Sequence, residues 1–263
     1  MAYSIIGQYV PTDSFMHRLD PRSKVISVFT LAIVLFLAGT FPTLLLMAGA
    51  SIVLAAVSRI PAHYYVQSMK PIFVLISFFF LFHLVFTREG TEWFSIGAVG
   101  IYSGGAIKGS FVALRILTLL MFASFLTLTT KVVDLTDGLE RLLSPLQRVK
   151  LPVHEMVLMM SIALRYIPIL MQETDKLTRA QAARGADLKS GPILSRIKAL
   201  YPLLLPLIVQ SFRRADTMAQ AMEARGYQMG GERTSLRELT WRTGDTLTIC
   251  FTAIAAVGII LMR

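Results

Sequence analysis

From Val25 to Ser58 the chain carries no charged side chain, and no other stretch constrains the fold as strongly. About 20 apolar residues cross the hydrocarbon core of a bilayer, so this run is too long for one crossing. Gly39-Thr40-Phe41-Pro42 divides it into two short or tilted helices joined by a tight turn. Asp20-Pro21 starts the first of them, with a carboxylate at the N-cap and proline at the first helical position. Three more runs, Pro71 to Thr87, roughly Gly109 to Thr130, and Thr246 to Met262, bring the expected spans to five. Charged residues make up only 16% of the chain, against about 25% in soluble domains. The expectation is an all-α integral membrane protein.

Lysines and arginines set its orientation. Arg18, Arg22 and Lys24 precede the first span, Arg59 and Lys70 separate the second from the third, and most of the remainder lie between Lys131 and Asp245. The opposite side holds only Arg88, Lys108 and Arg263, with Arg115 inside a span. The N-terminus is therefore expected in the cytoplasm and the C-terminus outside. These loop residues account for the net charge of +10, so it implies no nucleic-acid partner. Arg88 to Lys108 reads as a glycine-rich outer loop with Trp93, Phe94 and Tyr102 as interface anchors. Met1 to Asp20 is polar, and no cleavable signal peptide is expected there.

Nucleotide and metal chemistry find little support in the residues. No Gly-x4-Gly-Lys-Ser/Thr run occurs. The histidines at 17, 63, 83 and 154 are scattered, and Cys250 is the single cysteine, so no metal-ligand spacing arises. No cofactor is expected on this chain, and it is not expected to be an enzyme. Within the spans, His83 reads as a hydrogen-bonded packing residue, and Arg115 lies close enough to the outer end to snorkel.

The segment from Lys131 to Asp245 is basic yet too apolar for a soluble loop. Asp134 to Leu146 predicts a short amphipathic helix, although Asp137-Gly138 allows a later start. His154 to Arg184 predicts a long helix interrupted by Arg165 and Pro168, and Ile193 to Arg225 repeats the design around Pro202 and Pro206. Both long helices close on the same tripeptide, Ala183-Arg184-Gly185 and Ala224-Arg225-Gly226. Glycine suits the left-handed position just past a helix, and an arginine before it complements the helix dipole. Thr174, Thr178 and Ala182 lie four apart on the first helix, as do Ser211, Ala215 and Ala219 on the second. Each set forms a narrow stripe of small side chains, which lets two backbones approach closely and cross. Residues 1–130 thus read as a membrane domain with four spans, 131–240 as a cytoplasmic region of three helices, and 241–263 as the last span of one integrated fold.

His17-Arg-Leu-Asp-Pro-Arg-Ser-Lys24, Tyr102-Ser-Gly-Gly, Leu164-Arg-Tyr-Ile-Pro168 and the two Ala-Arg-Gly endings together resemble the transmembrane T component of energy-coupling factor transporters, bacterial importers of vitamins and metal ions. The resemblance runs nearly end to end. It implies that the two long helices are coupling helices whose Ala-Arg-Gly tips dock into two cytoplasmic ATPase subunits, which bind the ATP. It also implies that the chain sits in the bacterial cell membrane and holds a separate substrate-binding S component there. Met156, Met159, Met160, Met218 and Met222 would offer an adaptable surface for several such components, since flexible thioethers repack against different partners. Vitamin uptake is the expectation. A cobalt or nickel importer of the same family is the alternative, and a membrane insertase would explain the basic charge but not the duplicated endings.

Overall fold

The computed structural model describes residues 9–96, 99–145, 152–185, 193–228 and 240–262. Among them, eight α-helices dominate: α1 (Pro21–Leu37), α2 (Phe41–Val57), α3 (Ala62–Phe86), α4 (Ser103–Thr129), α5 (Val132–Leu143), α6 (Val153–Ala183), α7 (Ile193–Ala224) and α8 (Thr243–Leu261). A 3-10 turn, Phe15–Arg18, precedes α1, and an antiparallel hairpin, β1 (Glu92–Ile96) with β2 (Val99–Tyr102), joins α3 to α4. That hairpin lies where the sequence predicts only a glycine-rich loop. By contact the described residues form two compact units, one of 9–142 with 240–262 and one running from 143 to 228.

α1 packs against α4 and α8, and α4 packs in turn against α2 and α3. Its Asp20 N-cap forms as expected, the carboxylate accepting from the Arg22 N–H at 2.9 Å. Val28, Leu31, Leu35 and Ala38 are buried and recur at the three- and four-residue spacing of one helix face. They meet Leu44 and Met47 of α2, Phe122 and Phe125 of α4, and Ala256 and Ile259 of α8. The outward faces are also apolar: Phe29, Phe36, Leu45, Val53, Phe78, Phe86 and Phe251 are all exposed. A bundle that is apolar inside and out suits hydrocarbon rather than water.

Four helices are long and apolar enough to cross a membrane: α3, α4, α6 and α8. α3, α4 and α8 coincide with expected spans. α1 and α2 have 17 residues each, about 26 Å of helix and the short end of what crosses. α6 qualifies because the apolar stretch from Val153 to Met171 outweighs the charged second half. Boundaries move as well. α3 starts at Ala62, so Pro71 lies inside the helix and not at its start. α5 ends at Leu143, and Gly138 sits within it against Pro21 of α1.

α3 and α4 make the tightest helix pair, and glycine is the reason. A Cβ placed on Gly105 would lie 2.8 Å from the His83 carbonyl oxygen, and one on Gly109 would lie 3.1 Å from that of Phe80. Small residues four apart let the two backbones touch. Gly105→Val should therefore destabilise the bundle by about 1–3 kcal/mol, the cost of overpacking, lowering the melting temperature in detergent. Gly49→Ala is the control, because nothing lies within 4 Å of a Cβ there; equal melting of the two variants would refute this account of the contact.

Candidate functional site

The two Ala-Arg-Gly endings adopt the same backbone. Gly185 has φ +83° and Gly226 φ +75°, both left-handed, a conformation that costs glycine little and other residues more. At α7 the termination is a complete Schellman motif: the Tyr227 N–H donates to the Met222 carbonyl at 3.0 Å, and the Gly226 N–H to that of Glu223 at 2.9 Å. At α6 the Gly185 N–H donates to the Ala182 carbonyl at 3.0 Å. The residue that would complete the motif there, Ala186, lies outside the described residues. Among the described residues nothing lies within 4 Å of a Cβ on either glycine, and the requirement for glycine there is conformational. Arg184 and Arg225 are exposed, as are Ala183 and Ala224 before them. Each guanidinium thus stands at the negative end of a helix dipole, open to a carboxylate it can grip with two parallel hydrogen bonds.

Behind these tips, α6 and α7 meet over a short stretch. Two clefts, of about 520 and 420 Å³, flank the meeting point and share Leu170, Ser211 and Ala215 as lining. Thr174 lines the first cleft, and Ala219 the second. The second cleft brings the beginning of α6 (Met159, Ile162) beside the end of α7 (Met218, Met222). The helices therefore run in opposing senses, and their arginine tips lead away from each other. Arg214 of α7 pairs with Glu173 of α6 at 3.6 Å beside the contact. The Thr174 and Ser211 hydroxyls donate to the carbonyls of Leu170 and Leu207 on their own helices, so both present small, satisfied surfaces. Thr178 and Ala182, the outer part of the first stripe, line neither cleft.

The methionines divide. Met159, Met218 and Met222 share the second cleft with Ala163 and Tyr166, whereas Met156 and Met160 are exposed outside it. Arg165 is exposed on α6. Among the described residues there is no group of histidine, cysteine, aspartate and glutamate that could hold a metal ion.

Two cations that read as peripheral from the sequence turn out to hold the first unit together. Only 3% of Lys24 is accessible, and its ammonium donates to the Thr129 carbonyl at 3.1 Å, at the C-terminal end of α4. Arg115 of α4 donates to the Ala38 carbonyl at 2.6 Å, at the C-terminal end of α1, and lies 4.7 Å above the Phe111 ring. Each helix supplies the cation that closes the other's negative end. His83 Nδ1–H donates to the Phe79 carbonyl at 2.9 Å on its own helix.

Asp245 had no role from sequence, yet it is fully buried. One carboxylate oxygen accepts from the Asp20 N–H and the Ser23 hydroxyl, each at 2.7 Å, and the other accepts from the Arg242 N–H at 2.8 Å. It thereby ties the start of α8 to the start of α1. Its one sequence signal was an acid three residues into an apolar helix, the position that favours backbone N–H groups.

A family model described as "Cobalt transport protein" (CbiQ) matches residues 12–236. The "Energy-coupling factor transporter transmembrane protein EcfT" of Bacillus subtilis (strain 168) is 46% identical over 259 residues, covering 98% of both chains. Proteins of the same name from Heliobacterium modesticaldum (strain ATCC 51547 / Ice1) and Brevibacillus brevis (strain 47 / JCM 6285 / NBRC 100599) are 48% identical over 241 residues and 45% over 255. They cover 91% and 96% of this chain and 90% and 96% of their own. Together with the apolar helical bundle, identity at this level across nearly the whole of each chain establishes that this multi-pass membrane protein belongs to the EcfT family of energy-coupling factor transporter transmembrane proteins.

Proposed function

We propose that this chain converts ATP-driven motion of two cytoplasmic ATPase subunits into motion of a substrate-binding S component held in the bilayer. The observation that carries the reading is the pair of identical, exposed arginine tips. Two helices, each ending in Ala-Arg-Gly with a left-handed glycine, offer two equivalent docking points that lead apart, as two ATPase subunits require. An arginine fork recognises an acidic groove by paired hydrogen bonds as well as by charge. When the ATPases close on nucleotide, the distance between their grooves changes, and two helices hinged at one small-residue contact turn that change into a rotation. In this reading the chain is no enzyme: the ATP is bound by the ATPases, and the tips face the cytoplasm with the N-terminus, the C-terminus lying outside.

The cargo proposed is a vitamin. Cobalt ion is the second reading, favoured by the description of the matching family model. In either case the small subunit carries the specificity, and the methionine-lined cleft of α6 and α7 is the proposed surface on which different S components repack. Purification of the tagged chain in mild detergent should bring with it two ATPases and a small hydrophobic subunit, whose bound ligand names the cargo. Recovery of the chain without ATPases would overturn the proposal. Replacement of Met159, Met218 and Met222 by leucine should lower the recovery of some S components more than others by the same assay, and equal recovery of all would remove the methionines from the account.

A further inference from the structure

A groove of about 690 Å³ runs along the flank of the first unit between α2 and α8. Leu46 and Val57 of α2 line one wall, Leu247, Phe251 and Met262 the other, and Leu31 of α1 the floor. From Leu46 to Val57 it extends roughly 17 Å at 1.5 Å per residue, a little more than the ~15 Å of hydrocarbon in one leaflet. The two threonines in the lining donate to the carbonyls of Gly244 and Ile249 on their own helix. The groove therefore presents hydrocarbon to its occupant and no free hydrogen bond, which suits an acyl chain and excludes a polar substrate.

One end of this groove is basic. Arg18 closes the 3-10 turn whose Phe15 lines the groove, Arg59 follows α2 two residues after Val57, and Arg242 stands immediately before α8. These segments are held together: the Thr12 hydroxyl donates to the Ser58 carbonyl at 3.3 Å, and the Phe15 ring lies 3.1 Å from where a Cβ on Gly244 would be. All three arginines are exposed, and none forms an ion pair among the described residues. Asp13 is the exposed carboxylate on the same segment, leaving the end net positive. Trp241, also exposed, adjoins Arg242, a side chain suited to the headgroup level.

We propose that this groove binds an anionic phospholipid, with an acyl chain along α2 and α8 and the phosphate on Arg18, Arg59 and Arg242. A zwitterionic lipid fills the same apolar trough, but three guanidiniums that form no ion pair among the described residues favour a head group of net negative charge, and a guanidinium fits phosphate bidentately. Each basic residue near an anionic head group contributes about fivefold in affinity.

Native mass spectrometry of the delipidated full chain in detergent tests this, titrated with phosphatidylglycerol and with phosphatidylcholine. Phosphatidylglycerol should bind at least about tenfold more tightly, and an excess of soluble glycerol phosphate should not displace it. The variant Arg18→Gln/Arg59→Gln/Arg242→Gln changes only exposed side chains and should bring the two lipids to parity. Ala50→Phe, which fills the groove, should weaken both. Equal binding of the two lipids to the unaltered chain, an unchanged preference in the glutamine variant, or displacement by glycerol phosphate would overturn the proposal. So would a photo-cross-linker at Phe251 that, in membranes, captures a protein subunit instead of lipid.

Discussion

Exchange of Arg184 and Arg225 together for glutamate should leave the protein in the membrane and abolish substrate uptake. Both side chains are exposed, so the exchange removes no packing, and the left-handed glycines that end the helices remain. What changes is the sign of charge at each tip. Truncating one partner of a desolvated charge pair costs about 2–5 kcal/mol, so each single variant should weaken ATPase association by at least about thirtyfold. Reversal of both sites should bring copurified ATPase to background. The negative charge also opposes the helix dipole, but that penalty is about 0.3–1 kcal/mol per helix and cannot account for a loss on this scale. Arg184→Lys and Arg225→Lys separate charge from geometry: lysine keeps the charge and loses the fork, and should recover binding only in part. Normal uptake by the doubly reversed variant would refute the coupling role.

Replacing Asp245 by alanine should produce a large loss of stability in the first unit. The carboxylate is wholly buried and accepts three hydrogen bonds. Ser23 has a second acceptor, the Asp20 carbonyl at 2.8 Å, so its hydroxyl remains satisfied. The N–H groups of Asp20 and Arg242 lose the acceptor that Asp245 supplies. At about 1–3 kcal/mol for each buried group left unsatisfied, together with loss of a negative charge that acts on buried Lys24, the expected cost is about 3–5 kcal/mol. That is a large part of a typical 5–15 kcal/mol total. Asparagine keeps the oxygen that faces Asp20 and Ser23 and loses only the Arg242 bond, so its melting temperature in detergent should fall between alanine and aspartate. An alanine variant that melts with the unaltered chain would show that the network contributes nothing net.

The difference between these two sites explains how much of the molecule could be read from residues alone. The arginine tips were legible because their chemistry is local: an Ala-Arg-Gly ending specifies a cap whatever surrounds it, and the observed φ of both glycines follows from covalent geometry. The spans at α3, α4 and α8 were legible for a similar reason, since a long apolar run can be accommodated in few ways. The roles of Lys24, Arg115 and Asp245 were not legible, because a long side chain beside a span can point to water or reach inward to a carbonyl. Only the neighbouring helix decides. The run from Pro71 to Thr87 marks only part of α3, which begins at Ala62, because Lys70 interrupts the apolar sequence without interrupting the helix. On the stripes, Thr174, Ser211, Ala215 and Ala219 line the clefts beside the α6–α7 contact. Thr178 and Ala182 line neither cleft, and spacing along one helix says nothing of how far its neighbour follows it.

The reciprocal bonds of Lys24 to the end of α4 and of Arg115 to the end of α1 limit how these two helices can move against each other. Two antiparallel rods fastened at both ends cannot slide along each other without breaking a charged hydrogen bond in surroundings that offer no substitute. Sliding of α1 along α4 is therefore closed, and the two helices move as one body. The pair, in these terms, is a clamped strut and not a piston in its sleeve.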